Sequence, residues 1–140
     1  MDISQLLGGP ERAALQAALQ RSHAAASARR PATRVAFQAP CSLQHALKAS
    51  GVIEPLLLAA GFTLTPVTDG QRCCGSAGTY SILQPELSQQ LLRLKVQALS
   101  SGAPEVIATA NIGCLHHVRG ATSVPVRHWV ELIDERLESA

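Results

Sequence analysis

"RVAFQAPCSLQHALKASG", residues 34 to 51, decides the architecture. Its apolar opening is too short for a helix and stops at Pro40, so it reads as a strand. Directly behind it "SLQHALKAS" has helical spacing, with Ser42 as a cap and Gly51 as a stop. A strand feeding straight into a helix is half of a βα unit, and the chain that follows keeps the alternation. "VIEPLLLAAG" reads as a helix and "FTLTPVT" as a strand whose Pro66 suits a sheet edge or a bulge. "QPELSQQLLRLKVQALSSG" is the clearest helix: Pro85 falls in its first turn, Leu87, Leu91, Leu94 and Ala98 recur on one face, and Gly102 ends it. "EVIATA" is a buried strand and "SVPVRHW" the last one, after which Trp129, Leu132, Ile133 and Leu137 give a final helix its apolar stripe. The expected fold is α/β, a Rossmann-like three-layer domain with a small, mostly parallel sheet flanked by helices.

Upstream of Arg34 the pattern differs. Ile3, Leu6 and Leu7 form a short helical face behind Asp2, "GGP" interrupts it, and an Ala-rich helix resumes near Glu11 with Leu15 and Leu19 one turn apart. "SARRPAT" then reads as a linker. Residues 1–33 are therefore expected to be a helical segment and linker, and residues 34–140 a single domain.

Composition narrows the function classes. With 46% apolar but only 3% aromatic residues among 140, packing rests on Ala, Leu and Val, which favours helices laid closely on a small sheet. A formal charge of +2, with acids and bases interspersed, offers no basic stripe to track phosphates, so nucleic acid is not an expected partner. "MDISQLLGGP" lacks the basic and long apolar regions of a secretory signal, and "VIEPLLLAAGF" is too short to span a bilayer and carries Glu54 and Pro55. A cytoplasmic chain is expected, and in that reducing compartment four cysteines read as thiolate ligands or catalytic thiols rather than disulfides.

The vicinal pair in "QRCCGSAGTY" fits, on its own, a metal ligand set, a redox pair or two packing residues. Its context narrows the choice. Cys41 follows the first strand and opens a helix, Cys73 and Cys74 lie on the loop after the second strand, and Cys114 falls four residues after "EVIATA" at a helix start. Parallel strands would put all four thiols at one carboxyl edge, where open α/β sheets hold ligands, and a helix start favours the thiolate. Cys41 and Cys73 are separated by 31 residues, Cys74 and Cys114 by 39, and "NIGCLHH" sets His117 three positions after Cys114 on the same helix face. Four thiolates suit iron–sulfur chemistry or zinc, with the imidazole as a fifth or replacement ligand.

"APCSLQHALK", "CCGSAGTY", "TANIGCLHH" and "VRHWVELID" together resemble the cysteine-rich CCG domain family, whose pattern is one Cys, a distant Cys-Cys-Gly, then Cys-x-x-Cys. Within it the chain is most similar to the C-terminal part of glycolate oxidase iron–sulfur subunits, and the resemblance runs from about Arg34 onward. It implies an oxidoreductase component, an electron-transfer module that binds a [4Fe–4S]-type iron–sulfur cluster, or alternatively Zn, through Cys41, Cys73, Cys74, Cys114 and His117. The implied partners are the flavoprotein subunits that oxidise glycolate to glyoxylate, and the implied location is cytoplasmic, with peripheral attachment to the inner membrane through the complex left open. His117 stands where the family pattern has its last cysteine, as in the glycolate oxidase branch. The ferredoxin-like Cys-x-x-Cys-x-x-Cys runs of the full subunit are absent, so the chain resembles an excised C-terminal domain not expected to catalyse alone. A zinc-bound or metal-free assembly domain of the same oxidase is the alternative.

Other residues carry weaker signals. His45, one turn after Cys41, and Gly75 and Gly78, whose amides could point at cluster sulfides, are candidate hydrogen-bonding neighbours of the centre, against an ordinary surface histidine and an ordinary turn. His116 should be solvated, His128 structural and His23 exposed, while Arg72 and Arg119 could offset cluster charge or dock an acidic partner, against ordinary solvated arginines. A nucleophilic enzyme would need a thiolate with an oriented base and an oxyanion site, and no such set is recognisable.

Overall fold

The computed structural model describes residues 9–26, 33–38, 51–67 and 83–138. In chain order these form α1 (Gly9–Ala26), β1 (Arg34–Gln38), α2 (Glu54–Ala59), β2 (Thr63–Leu64), α3 (Pro85–Ser100), β3 (Val106–Thr109), α4 (Ile112–Arg119), β4 (Val126–His128) and α5 (Trp129–Glu138). The strands make one all-parallel sheet in the order β2-β1-β3-β4, with Val35 opposite Val106, Gln38 opposite Thr109, and Thr109 opposite His128. The α/β architecture expected from the alternation is present, with β2, which precedes Pro66, at an edge.

Side chains alternate across the strands and split the interior in two. Val35, Phe37, Val106 and Ala108 face a layer built from Leu19 of α1, Leu56 and Leu57 of α2, and Trp129, Leu132 and Ile133 of α5. Ala36 and Ile107 face the opposite layer, where Leu92 and Leu99 of α3 pack with Cys114, Leu115 and Val118 of α4. Small residues at 36 and 108 are fully buried and let both helical layers approach the sheet. This is how a chain poor in aromatics closes its core.

Several local readings are corrected. α1 (Gly9–Ala26) is the Ala-rich helix expected from about Glu11, but it is more than a segment ahead of the domain. The helix also joins the main core, with Leu19 fully buried and Ser22 Oγ donating to the carbonyl of Arg136 at 2.7 Å. His23 is not exposed: it is half-buried, its ring lying where a Cβ on Gly61 would fall 2.2 Å from Nδ1, and Gly61 (φ +89°) turns the chain from α2 into β2. Leu137 lies at the rim, 37% exposed, so the stripe of α5 ends at Ile133.

The largest correction concerns α3. Its buried face is Ser88, Leu92, Lys95 and Leu99, one position round from the leucine stripe read in the sequence. Leu87 and Leu94 stand 45% and 44% exposed. The helix therefore turns a serine and a lysine inward while leaving leucines outside.

Candidate metal centre

Strand order reverses between β1 and β3: the chain leaves β1 toward β2 on one side and returns to β3 on the other. In open parallel sheets the crevice outside the carboxyl ends of two such strands is where ligands bind. Here that edge is formed by Gln38 and Thr109. Both side chains are buried, and the Thr109 hydroxyl donates to Oε1 of Gln38, tying the two strand ends together.

From Thr109 the chain runs through Ala110 to Asn111, an extended residue that caps α4. Asn111 Oδ1 accepts from the amides of Gly113 (2.8 Å) and Cys114 (3.2 Å). The cap takes two of the N–H groups that a helix start leaves unsatisfied and fixes Cys114 in the first turn. Asn111→Ala should lower stability by about 1 kcal/mol and loosen the helix start that carries Cys114; denaturant unfolding of the metal-free protein, with amide exchange at Gly113 and Cys114, checks it.

Cys114 is a thiol only 7% exposed, packed in the layer that holds Leu92, Leu115 and Val118. His117, one turn on, is half-buried, with Nε2 3.4 Å from Ser88 Oγ of α3. Gln38, Ser88, Lys95, Asn111 and Cys114 are each engaged in further interactions. Ile112 and Gly113 form the exposed lip, Ile112 being 64% exposed.

Of the residues singled out in the sequence, Cys114 and His117 are thus together on α4 beside the strand-order reversal. Cys41, Cys73, Cys74, His45, Arg72, Gly75 and Gly78 lie outside the described residues. Among the described residues alone, no three His, Cys, Asp or Glu side chains converge. The remaining assignments are structural. His116 is exposed, and His128 Nδ1 accepts from the Val130 amide at 3.4 Å at the start of α5. Arg119 Nη2 donates to the Val126 carbonyl at 2.8 Å, binding α4 to β4. Sequence reasoning missed Ser88 and Lys95, because both sit at positions that the leucine spacing assigns to solvent. A buried polar residue flanked by apolar ones at i+4 was the signal available.

A four-stranded parallel sheet flanked by helices, with a cysteine in the helix start beside its strand-order reversal, defines the class: an open α/β domain. More specifically, residues 35–119 match the cysteine-rich domain family designated CCG, and the chain belongs to that family. It is 52% identical over 105 residues to the glycolate oxidase iron–sulfur subunit of Escherichia coli (strain K12), covering 75% of this chain and 26% of that protein. It is 34% identical over 114 residues to a probable glycolate oxidase iron–sulfur subunit of Bacillus subtilis (strain 168), covering 76% of this chain and 25% of that one. Lactate utilization protein A of Bacillus subtilis (strain 168) is 30% identical over 91 residues, 59% of this chain and 38% of that protein. The chain thus spans about a quarter of the length of the glycolate oxidase subunits it matches. No described helix is long and apolar enough to cross a membrane.

Proposed function

We propose that this chain is the cysteine-rich C-terminal domain of an iron–sulfur electron-transfer subunit of a glycolate-oxidising enzyme. Cys41, Cys73, Cys74 and Cys114, with His117, hold the centre, a [4Fe–4S]-type cluster that accepts electrons from a flavin-bearing partner subunit. His45, Gly75 and Gly78 tune it through hydrogen bonds. Residues 34–140 act as the cluster domain, with α1 of the preceding segment completing its core, on the cytoplasmic side.

The observation that carries this reading is the buried Cys114 on α4 beside the β1/β3 reversal, in a chain 52% identical to a protein named as such a subunit. The donor chemistry fits: thiolates are the soft ligands of iron–sulfur centres, and a buried one is shielded from water and oxidant.

When bound, the cluster supplies one-electron chemistry. The protein's part is to bind and shield it: Asn111 fixes the segment bearing Cys114, Ser88 engages His117 Nε2, and Leu92, Leu115 and Val118 keep water from the thiol's inner side. Burial and hydrogen bonding of this kind set the potential of such centres.

Anaerobic reconstitution followed by iron and acid-labile sulfide analysis tests the proposal. The expected result is brown protein with both elements in near-equal amounts. Stoichiometric zinc in place of iron, or no metal taken up by a protein that folds unchanged, would overturn it in favour of the assembly domain.

A further inference from the structure

The inward face of α3 conflicts with its sequence. Leucines at 87 and 94 are left to solvent while Ser88 and Lys95, beside them, are 1% and 0% exposed. Burying an ammonium where a leucine was available forfeits apolar burial and adds a desolvation cost. Folds retain such local conflicts where a site needs them.

Three observations associate Lys95 with the thiol site. Leu92 and Leu99, one turn to either side of it, pack in the same cluster as Cys114, Leu115 and Val118. Ser88, two turns nearer the helix N-terminus on the same face, is in contact with His117. Long helical side chains run back toward their helix's N-terminus, which for Lys95 is the Ser88 end. Lys95 is also the one charged side chain among the buried described residues, the others being Ser22, Gln38, Ser88 and Thr109. A centre held by several thiolates carries excess negative charge, and more of it after reduction.

Resting on the reading of this edge as a thiolate-held centre, we infer that Lys95 is its buried counter-charge: a fixed cation behind Cys114 and His117 that stabilises the reduced, more negative state and so raises the reduction potential. Its charge, rather than its bulk, is what the site uses.

The test is a dye-mediated redox titration of the reconstituted 140-residue protein beside Lys95→Met, Lys95→Gln and Arg93→Gln, the last removing an exposed positive charge from the same helix. Both Lys95 variants should reduce at least tenfold less favourably, 59 mV lower for one electron, while the metal-free proteins melt no earlier than wild type. Arg93→Gln should leave the potential in place. Loss of the cluster from a folded Lys95 variant also supports the inference. Unmoved potentials, an equal shift in Arg93→Gln, or failure of both metal-free Lys95 variants to fold would overturn it with the cluster reading intact. A wild type that takes up no cluster would remove both.

Discussion

Cys114→Ser should give a protein that folds but emerges from anaerobic reconstitution almost colourless, with iron and sulfide reduced to traces. The substitution is nearly isosteric at a site 7% exposed, and its Asn111 cap is made by backbone amides that serine also supplies. What disappears is the soft donor: an un-ionised hydroxyl is a poor iron ligand at neutral pH. Loss of outer partners alone costs metal sites about 10–100-fold in affinity, so loss of a ligand should exceed about a hundredfold. The same bleaching is expected for serine at Cys41, Cys73 or Cys74, and Cys74→Ser separates a ligand from a packing residue in the vicinal pair. His117→Cys, which recreates the Cys-x-x-Cys of the family pattern, should retain the cluster. Full iron content in folded Cys114→Ser would remove Cys114 from the ligand set and with it the proposed centre.

The sheet was legible because its strands declare themselves locally. Residues 106–109 are all buried and open with the apolar run Val106, Ile107 and Ala108, and the strand at 34–38 is closed off by Pro40. Parallel pairing followed from the intervening helices, and with it the prediction that a cysteine after "EVIATA" would start a helix at the carboxyl edge, where Cys114 lies. Strand order was a different matter. The reversal between β1 and β3 depends on which side of β1 the third strand takes, and no residue in β3 encodes that by itself.

Helix faces were legible only where apolar and polar positions do not compete. In α5, Trp129, Leu132 and Ile133 are buried as their spacing requires. In α3, leucines at 87, 91, 92, 94 and 99 support two overlapping stripes, and choosing between them takes knowledge of what faces the helix. The Gln38–Thr109 tie was missed because it pairs atoms 71 residues apart that meet only once the strands have assembled, whereas the Asn111 cap is local and an Asn three positions ahead of Cys114 was a signal the sequence offered.

The orientation of α3 makes a sharp prediction about two leucines two positions apart. Leu92 is 4% exposed against Ile107, Leu115 and Val118, so Leu92→Ala should cost about 2–5 kcal/mol by lost transfer energy and the cavity left behind. Leu94 is 44% exposed and outside both core clusters, so Leu94→Ala should fall within about 0.5 kcal/mol of wild type, as surface substitutions do. The sequence-derived face, with Leu87, Leu91, Leu94 and Ala98 inward, predicts the opposite ranking. Urea unfolding of the two metal-free variants decides between them. If Leu94→Ala proved the more damaging, α3 would have to be rotated so that Ser88 and Lys95 leave the interior, separating Ser88 from His117 and withdrawing the buried cation from the thiol site.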